Sequence, residues 1–465
     1  MGPARTPAYQ AAVRSARESY AALPPGAPVR LAKKTSNLFR NRAATGAPEL
    51  DLSACQGVFD VDPEAGLARV GGLTTYERLV DELLPHGVVP LVVPQLRTIT
   101  IGGAVVGLGI ESTSFRSGLP HESVVEADVL TGVGEVVTAT PEGEHADLFR
   151  ALPNSYGTLG YTLGLVVELE RTSPWVVLEH HRFRDLDALA ATIEEVMAHQ
   201  SLDGASVDFL DGVVFSADEA YLTLGRWASS TEGLVPGDYT GLEPYYRSLQ
   251  HRRRDVLSAE DYLWRWDTDW FWCSRAFGAQ HPAVRRVWPR RLLRSDVYWR
   301  IMRFEQERGW YAALLRRRGR GPQERVVQDV EIPLARTADF LRWFLREVPI
   351  EPLWLCPVRL RASGPAPGGG PPWPLYPMRV GEDYVNVGFW SAVDIPPEGR
   401  PGDTNRAIEA KVTELGGHKG LYSEAFYDEP TFRELYGGDH LDAVKHRYDP
   451  DGRFPTLYDK AVRGR

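Results

Sequence analysis

Two short stretches of this chain hold the residue types that proton chemistry needs. "HKGLYSEAFYD", residues 418–428, places His418, Tyr422, Glu424 and Tyr427 close together. Each can donate a proton once its surroundings tune it; the plain alternative is a satisfied polar edge of a sheet. "DYLWRWDTDWFWCSRAFG", residues 261–278, gathers Trp264, Trp266, Trp270, Phe271 and Trp272 around Arg265, Asp267 and Asp269. Aromatic faces line apolar slots and stabilise positive charge, and an acid such as Asp269 can relay a proton among them. The alternative is an aromatic core strand or a membrane-facing loop. Tyr384 and Asn386 in "DYVNVGFW" are further candidates to line such a slot. No Ser-His-Asp order emerges from the spacing.

A second kind of chemistry is anion binding. "PQLRTITIGGAVVGLGIESTSFRSGLPHESV", from Pro94 to Val124, contains Gly102, Gly103, Gly107, Gly109 and Gly118, with Ser112, Thr113, Ser114 and Ser117 between them. Each glycine costs up to about 1 kcal/mol against alanine inside a helix or strand. A loop whose bare N–H groups approach a ligand explains them; a glycine loop needed only for close packing is the alternative. The pattern is neither the dinucleotide GxGxxG within a βαβ unit nor a Walker A sequence. Two more donor-rich turns recur. "LAKKTSNLFR", residues 31–40, supplies Lys33, Lys34, Thr35, Ser36 and Asn37, and "GTLG" supplies Gly157, Thr158 and Gly160. Together the three can wrap a large anionic cofactor through main-chain N–H groups.

These residues need elements to hold them. "VFDVDPEAGLARVGGL" reads as two strands about a turn at 62–66, and "TTYERLVDELLPHG" as a helix capped by Thr74 or Thr75 and ended by Gly87. "VVEADVLTGVGEVVTAT" reads as a hairpin, "EHADLFRAL" as a short helix and "YTLGLVVELE" as a strand. "VVQDVEIP", "LWLCPVRL" and "YVNVGFW" read as strands of a second sheet, with helices near 336–347 and 402–415; 361–374 is a proline/glycine loop. With 465 residues, two or three lobes are expected. Cys55, Cys273 and Cys356 are far apart, so no metal site is expected, and a reducing cytoplasm fits. No apolar run approaches a membrane span, and "MGPARTPAYQ" lacks the apolar core of a signal peptide.

The order of these motifs, from "VGGLTTYERLVDELLPHG" through the glycine-rich stretch to "DLFRALPNSYGTLG", resembles the vanillyl-alcohol-oxidase (PCMH) type of FAD-binding domain. With "VVQDVEIPL", "PLWLCPVRL", "GLYSEAFYDEPTF" and "RFPTLYDK", the chain most resembles the delta-24 sterol reductase (Diminuto) group. The resemblance implies an α+β protein: a two-subdomain FAD-binding domain over 1–175, an α+β substrate (cap) domain with an antiparallel sheet over 176–430, and a segment 431–465 packing back near the FAD domain. It implies non-covalent FAD. The pyrophosphate would lie on Lys34, Thr35, Ser36, Asn37, Thr100, Gly102, Gly103 and Gly107, in the loop that Pro94 and Gln95 open and Gly109 continues. Ser112, Ser114 and Gly118 would line the next part, Gly157, Thr158 and Gly160 the ribityl or flavin side, and Val124 the adenine side. The first loop has no histidine for covalent attachment, and His121 reads as a surface residue.

The same resemblance implies reduction of an isolated carbon–carbon double bond in a lipid, with NADPH as electron donor. Tyr422, Glu424, His418 and Asp269 are the expected proton donors, and Trp264, Trp266, Trp270, Trp272, Tyr384 and Asn386 the expected substrate contacts. The leading substrate expectation is a 10-methylene fatty acyl chain in phospholipid, reduced to the 10-methyl product, with a methyltransferase as a candidate partner. A delta-24 sterol side chain is the first rival, an alcohol or sugar oxidase the second, and a binding protein holding flavin structurally the third. Residues 285–325 carry thirteen arginines and four acids in a chain of net charge −9, interleaved with aromatics. The overall charge argues against nucleic acid. An anionic membrane surface suits the basic aromatic segment, which places the protein in the cytoplasm, peripheral at the inner face of the plasma membrane. The alternative is a solvated helix.

Overall fold

The computed structural model describes residues 2–33, 39, 46–308, 321–361 and 369–464. Lys34, Thr35, Ser36 and Asn37, the 309–320 part of the basic segment and residues 362–368 of the proline/glycine loop lie outside the described residues.

Two antiparallel sheets organise the chain. The first runs in the order Val58–Asp62, Leu67–Gly71, Tyr161–Arg171, Val124–Leu130, Val136–Ala139, with Val88–Pro90 also pairing to Tyr161–Arg171. The turn at 62–66 forms as expected, with the Ala65 amide donating to Asp62 Oδ1 at 2.9 Å. Thr75 caps the helix Tyr76–Leu83, which buries Tyr76, Leu79, Val80 and Leu83; Gly87 follows in the left-handed conformation, φ 70°.

The glycine-rich stretch departs from the expected loop. Ile101–Gly107 is a helix capped by the preceding residue Thr100, whose side chain accepts from the Gly103 amide. Close packing explains the departure. A Cβ on Gly102 would stand 2.6 Å from the Gly72 carbonyl oxygen, so only glycine lets this helix lie against the sheet.

The second sheet has eight strands in the order Arg254–Ser258, Trp175–Phe183, Glu219–Ala228, Phe209–Ser216, Leu353–Val358, Tyr384–Asp394, Gln323–Pro333, His418–Lys419. Its strands alternate with period two. Val326, Val330, Ile332, Leu353, Leu355, Val385, Val387 and Phe389 join one core with the helices Leu186–His199, Thr337–Glu347 and Asp403–Glu414. The opposite face turns Asp329, Glu331, Trp354 and Trp390 toward the first sheet's side of the molecule.

The aromatic stretch is not a strand. After the helix Ala259–Leu263 the chain runs in turns, and Trp270, Phe271 and Trp272 all have positive φ (53°, 47° and 55°). The C-terminal segment touches the glycine-rich side: Lys445 Nζ donates to the Thr158 carbonyl at 3.0 Å and Lys460 Nζ to the Tyr156 carbonyl at 2.7 Å.

Candidate functional site

A cavity of about 1100 Å³ runs between the two sheets. It is slightly larger than the roughly 300–1,000 Å³ of ordinary small-molecule sites. One end is walled by glycines and polar groups, the other by aromatic rings and two carboxyl groups.

At the polar end, Lys33 Nζ donates to Thr100 Oγ1 at 3.0 Å, placing a cation at the start of the helix Ile101–Gly107. Gly103 beside it turns a bare Cα to the cavity: a Cβ there would meet Thr100 Oγ1 at 2.8 Å and Lys33 Nζ at 3.6 Å. A cation, a hydroxyl and a gap that a side chain would fill suit the phosphates of a dinucleotide. The main-chain amides contribute less than the sequence suggests. The Ile101 amide donates to the Thr74 carbonyl and the Gly102 amide to the Gly72 carbonyl, both at 2.9 Å. Lys33 and Thr100 stand beside these amides as a cation and a hydroxyl on the cavity wall. Tyr156 and Gly157 form a further wall, with Tyr156 held at positive φ by the Lys460 contact and by its own hydroxyl donating to the Gly107 carbonyl at 2.9 Å.

The aromatic end is built from the second sheet and two loops. Phe39 bridges them: its amide donates to the Tyr422 carbonyl at 2.9 Å, and its ring lies 5.9 Å from Trp270, 5.4 Å from Trp299 and 6.0 Å from Tyr422. Trp390 Nε1 donates to Tyr422 Oη at 2.8 Å. That leaves the tyrosine proton for Asp329, which Tyr422 contacts; Asn386 Nδ2 stands 3.5 Å from the same carboxyl. Burial pushes Asp329 up to about 7 and Glu331 well above the ordinary carboxylate range, the latter with repulsion from Asp329 added. His418 lies 3.5 Å from Glu331 and is held neutral, its pKa lowered to about 3 by burial. The imidazole of that pair is therefore uncharged, and burial favours the protonated form of Glu331.

Of the residues expected from the sequence, the cavity brings together Pro94, Gln95, Thr100, Gly102, Gly103, Gly107, Gly109, Gly157, Gly160, Trp270 and Tyr422. Others face protein. Ser112 Oγ bonds Tyr262 Oη at 2.9 Å, Ser114 Oγ accepts the Glu111 amide, and Thr158 Oγ1 donates to the Ser155 carbonyl. Gly118 abuts Glu122, and Val124 begins a strand. Trp264, Trp266 and Trp272 pack in the core; Trp266 donates to Asp211 at 3.1 Å. Tyr384 Oη donates to Glu382 at 2.8 Å, and Asn386 sits behind Asp329. The Glu424 carbonyl accepts from Lys419, and the Glu424 side chain is outside the cavity wall, as is His418. Asp269 is wholly buried away from the cavity, its carboxyl oxygens without hydrogen-bond partners and its pKa pushed up to about 7 by burial. His121 is a correction: it is buried, not on the surface, edge-on to Trp373 at 4.6 Å. Asp329 and Glu331 were missed. Their signal is present in "VVQDVEIP", where two acids recur at the strand period inside an apolar run, and a buried polar residue is the informative exception.

Residues 2–140 match the family model described as an FAD binding domain. The chain is 26% identical over 448 residues to the Delta(24)-sterol reductase of Arabidopsis thaliana, covering 90% of this chain and 77% of that protein. It is 24% identical to the Delta(24)-sterol reductase of Homo sapiens over 427 residues, 87% of this chain and 76% of that protein. Cytokinin dehydrogenase 10 of Oryza sativa subsp. japonica is 30% identical over 171 residues, 37% of this chain and 30% of that protein. The chain thus carries a PCMH-type FAD-binding domain in an α+β fold and is homologous to the sterol reductases. Among the described residues, no helix is long and apolar enough to cross a membrane, and no group of three or more metal-ligating side chains occurs.

Proposed function

We propose that this FAD-dependent oxidoreductase reduces an isolated carbon–carbon double bond in a lipid. The observation that carries the reading is the single cavity joining a Lys33–Thr100–Gly103 anion end to an aromatic end containing carboxyl groups. Lys33 and Thr100 would hold the diphosphate, and Tyr156 and Gly157 would flank the more distant part of the cofactor. Bound there, FAD supplies a hydride once NADPH, the proposed donor, has reduced it. The chain's own work is to hold an oily guest against Phe39, Trp270, Phe271, Trp354 and Trp390, exclude water, and deliver a proton. Homology to the sterol reductases favours a sterol-type side-chain alkene. The 10-methylene acyl chain offers the same 1,1-disubstituted or trisubstituted alkene chemistry and is the competing guest.

The basic aromatic segment supports a lipid source. Arg300, Arg303, Phe304 and Arg308 fall on one face of the helix Ser295–Arg308 and are exposed. Val287, Leu292 and Phe304 are three of the seven large hydrophobic residues exposed among the described residues. The inner side of the same helix puts Trp299 against Phe39 and Trp270 at the aromatic end. A protein seated by this face on an anionic bilayer would take its guest from the lipid, peripheral to the membrane.

The test is reoxidation of the NADPH-reduced protein by a delta-24 sterol, by a 10-methylene phospholipid and by neither. Reoxidation with product by a lipid alkene supports the reading, and which lipid works decides the substrate. Peroxide formed from a polyol would replace it with an oxidase, and a flavin that NADPH and dithionite both leave oxidised would replace it with a binding protein.

A further inference from the structure

We propose that Asp329 is the proton donor of this site, with Glu331 as the acid that stands behind it. The inference rests on the alkene-reductase reading and names the group that protonates the guest.

Geometry carries it. Asp329 and Glu331 are two residues apart on the strand Gln323–Pro333, so both side chains leave the same face, about 6.6 Å apart along the strand, and both line the cavity. The intervening Val330 and the following Ile332 point into the opposite core. The neighbouring strand makes room: Gly388 is the register partner of Asp329, and a Cβ at 388 would collide with the Asp329 carboxyl. The other candidates fit less well. Tyr422 lines the cavity, but its hydroxyl accepts from Trp390 and is aimed at Asp329. His418 and Glu424 lie outside the cavity wall, and Asp269 is buried elsewhere.

The groups around the pair decide its charge. From its own strand Asp329 faces Glu331; from Tyr384–Asp394 it faces Asn386, Gly388 and Trp390; from the 418–422 segment it faces Tyr422, while His418 faces Glu331. Cys273, Cys356, Tyr376 and Tyr427 stand further around the pair. The nearby cation, Lys419, is bound to Glu409 at 2.7 Å and to the Glu424 carbonyl instead. With no cation on it among the described residues, the partly buried carboxyl keeps its proton to about pH 7.

The step balances simply. The O–H bond of Asp329 breaks as a C–H bond forms on the less substituted alkene carbon. The hydride from the reduced cofactor completes the other carbon, and NADPH is the reductant overall. The Asp329 carboxylate left behind accepts from Tyr422 O–H and Asn386 N–H, and Glu331 or water returns the proton.

Asp329→Asn, Asp329→Ala and Glu331→Gln are compared with the parent, all as the FAD-loaded protein. Two quantities are read: the rate of flavin reoxidation by the lipid alkene against pH, and the infrared C=O band of protonated carboxyl groups against pH. The expected result is a parent rate that falls as pH rises through about 7, with an infrared band fading over the same range. The Asp329 component of that band is lost in Asp329→Asn while the Asp269 component remains, and the alkene step of this variant slows about 100-fold or more with flavin retained and still reduced by NADPH. Formate restores part of the rate in Asp329→Ala, and Glu331→Gln slows turnover less than either. An Asp329→Asn protein with the parent's rate and pH profile overturns the assignment while leaving the reductase reading intact. A parent that no lipid alkene reoxidises overturns both.

Discussion

Asp329 and Gly388 lie directly opposite one another across two antiparallel strands, and the carboxyl of the first occupies the space a side chain on the second would need. An acid is thereby fitted among the aromatic rings of this wall, next to Glu331. Gly388→Ala is expected to push the Asp329 carboxyl off its place, lowering the rate of alkene reduction at least 10-fold while the flavin spectrum and its reduction by NADPH stay as in the parent. Stopped-flow measurement of the two half-reactions separates them.

At the far end of the cavity, Gly103→Trp fills the gap beside Thr100 and Lys33. The purified variant is expected to be colourless and to take up no added FAD, read from the visible spectrum. Lys33→Glu places an anion where the diphosphate is proposed and is expected to raise the Kd for FAD by 10-fold or more. A tightly yellow Gly103→Trp protein would remove the diphosphate from this end.

Asp269 gives a test of stability against pH. Its folded-state pKa, about 7, is above the ordinary 3.8, so the folded protein holds a proton that the unfolded chain releases. The stability linked to that proton is full below 3.8 and is lost as pH rises through about 7. Asp269→Asn should match the parent in thermal unfolding near pH 4 and exceed it at pH 8. An equal Tm at both pH values would show that the carboxyl ionises freely in the fold.

Arg265 is wholly buried and donates to Glu111 at 2.8 Å and Asp211 at 2.7 Å, tying the glycine-rich stretch, the second sheet and the aromatic loop together. Arg265→Met leaves two buried acids without their cation, a change that costs about 3–5 kcal/mol. Urea unfolding should show the loss, and the aromatic wall should lose its order with it. Glu111→Gln, which keeps one ion pair, should cost less.

The exposed face of the helix Ser295–Arg308 yields a binding test. Sedimentation with vesicles rich in phosphatidylglycerol is expected to carry the parent down at low salt but not at high salt, and phosphatidylcholine vesicles to leave it in solution. Arg300→Glu with Arg303→Glu should abolish the binding without changing the flavin. Equal binding by this double variant would move the membrane contact elsewhere.

The first sheet was legible because its strands and turns follow local rules: the Asp62–Gly66 turn, the Thr75 cap and the Gly87 stop all rest on neighbours in sequence. The glycine-rich stretch misled because glycine's uses look alike from sequence. Gly102 serves packing against Gly72, whereas Gly103 opens onto the cavity, and only the fold separates them. The aromatic cluster was legible as a cluster, but which ring faces the guest depends on the unusual backbone at 270–272, which sends Trp270 and Phe271 to the cavity and Trp272 to the core. Asp329 and Glu331 were overlooked because their strand reads as a buried one, and what lies across from its odd-numbered face is set by residues far away in the chain.

The strand Gln323–Pro333 has one further implication, for how such a protein can change. Even-numbered positions 326, 330 and 332 hold the hydrocarbon interior together, while 329 and 331 present the reactive groups. Inserting or deleting a single residue upstream in this strand would exchange the two sets, exposing valines to the guest and driving acids into oil. New chemistry on this scaffold is therefore open to point replacement at two alternate positions and closed to any shift in length between them.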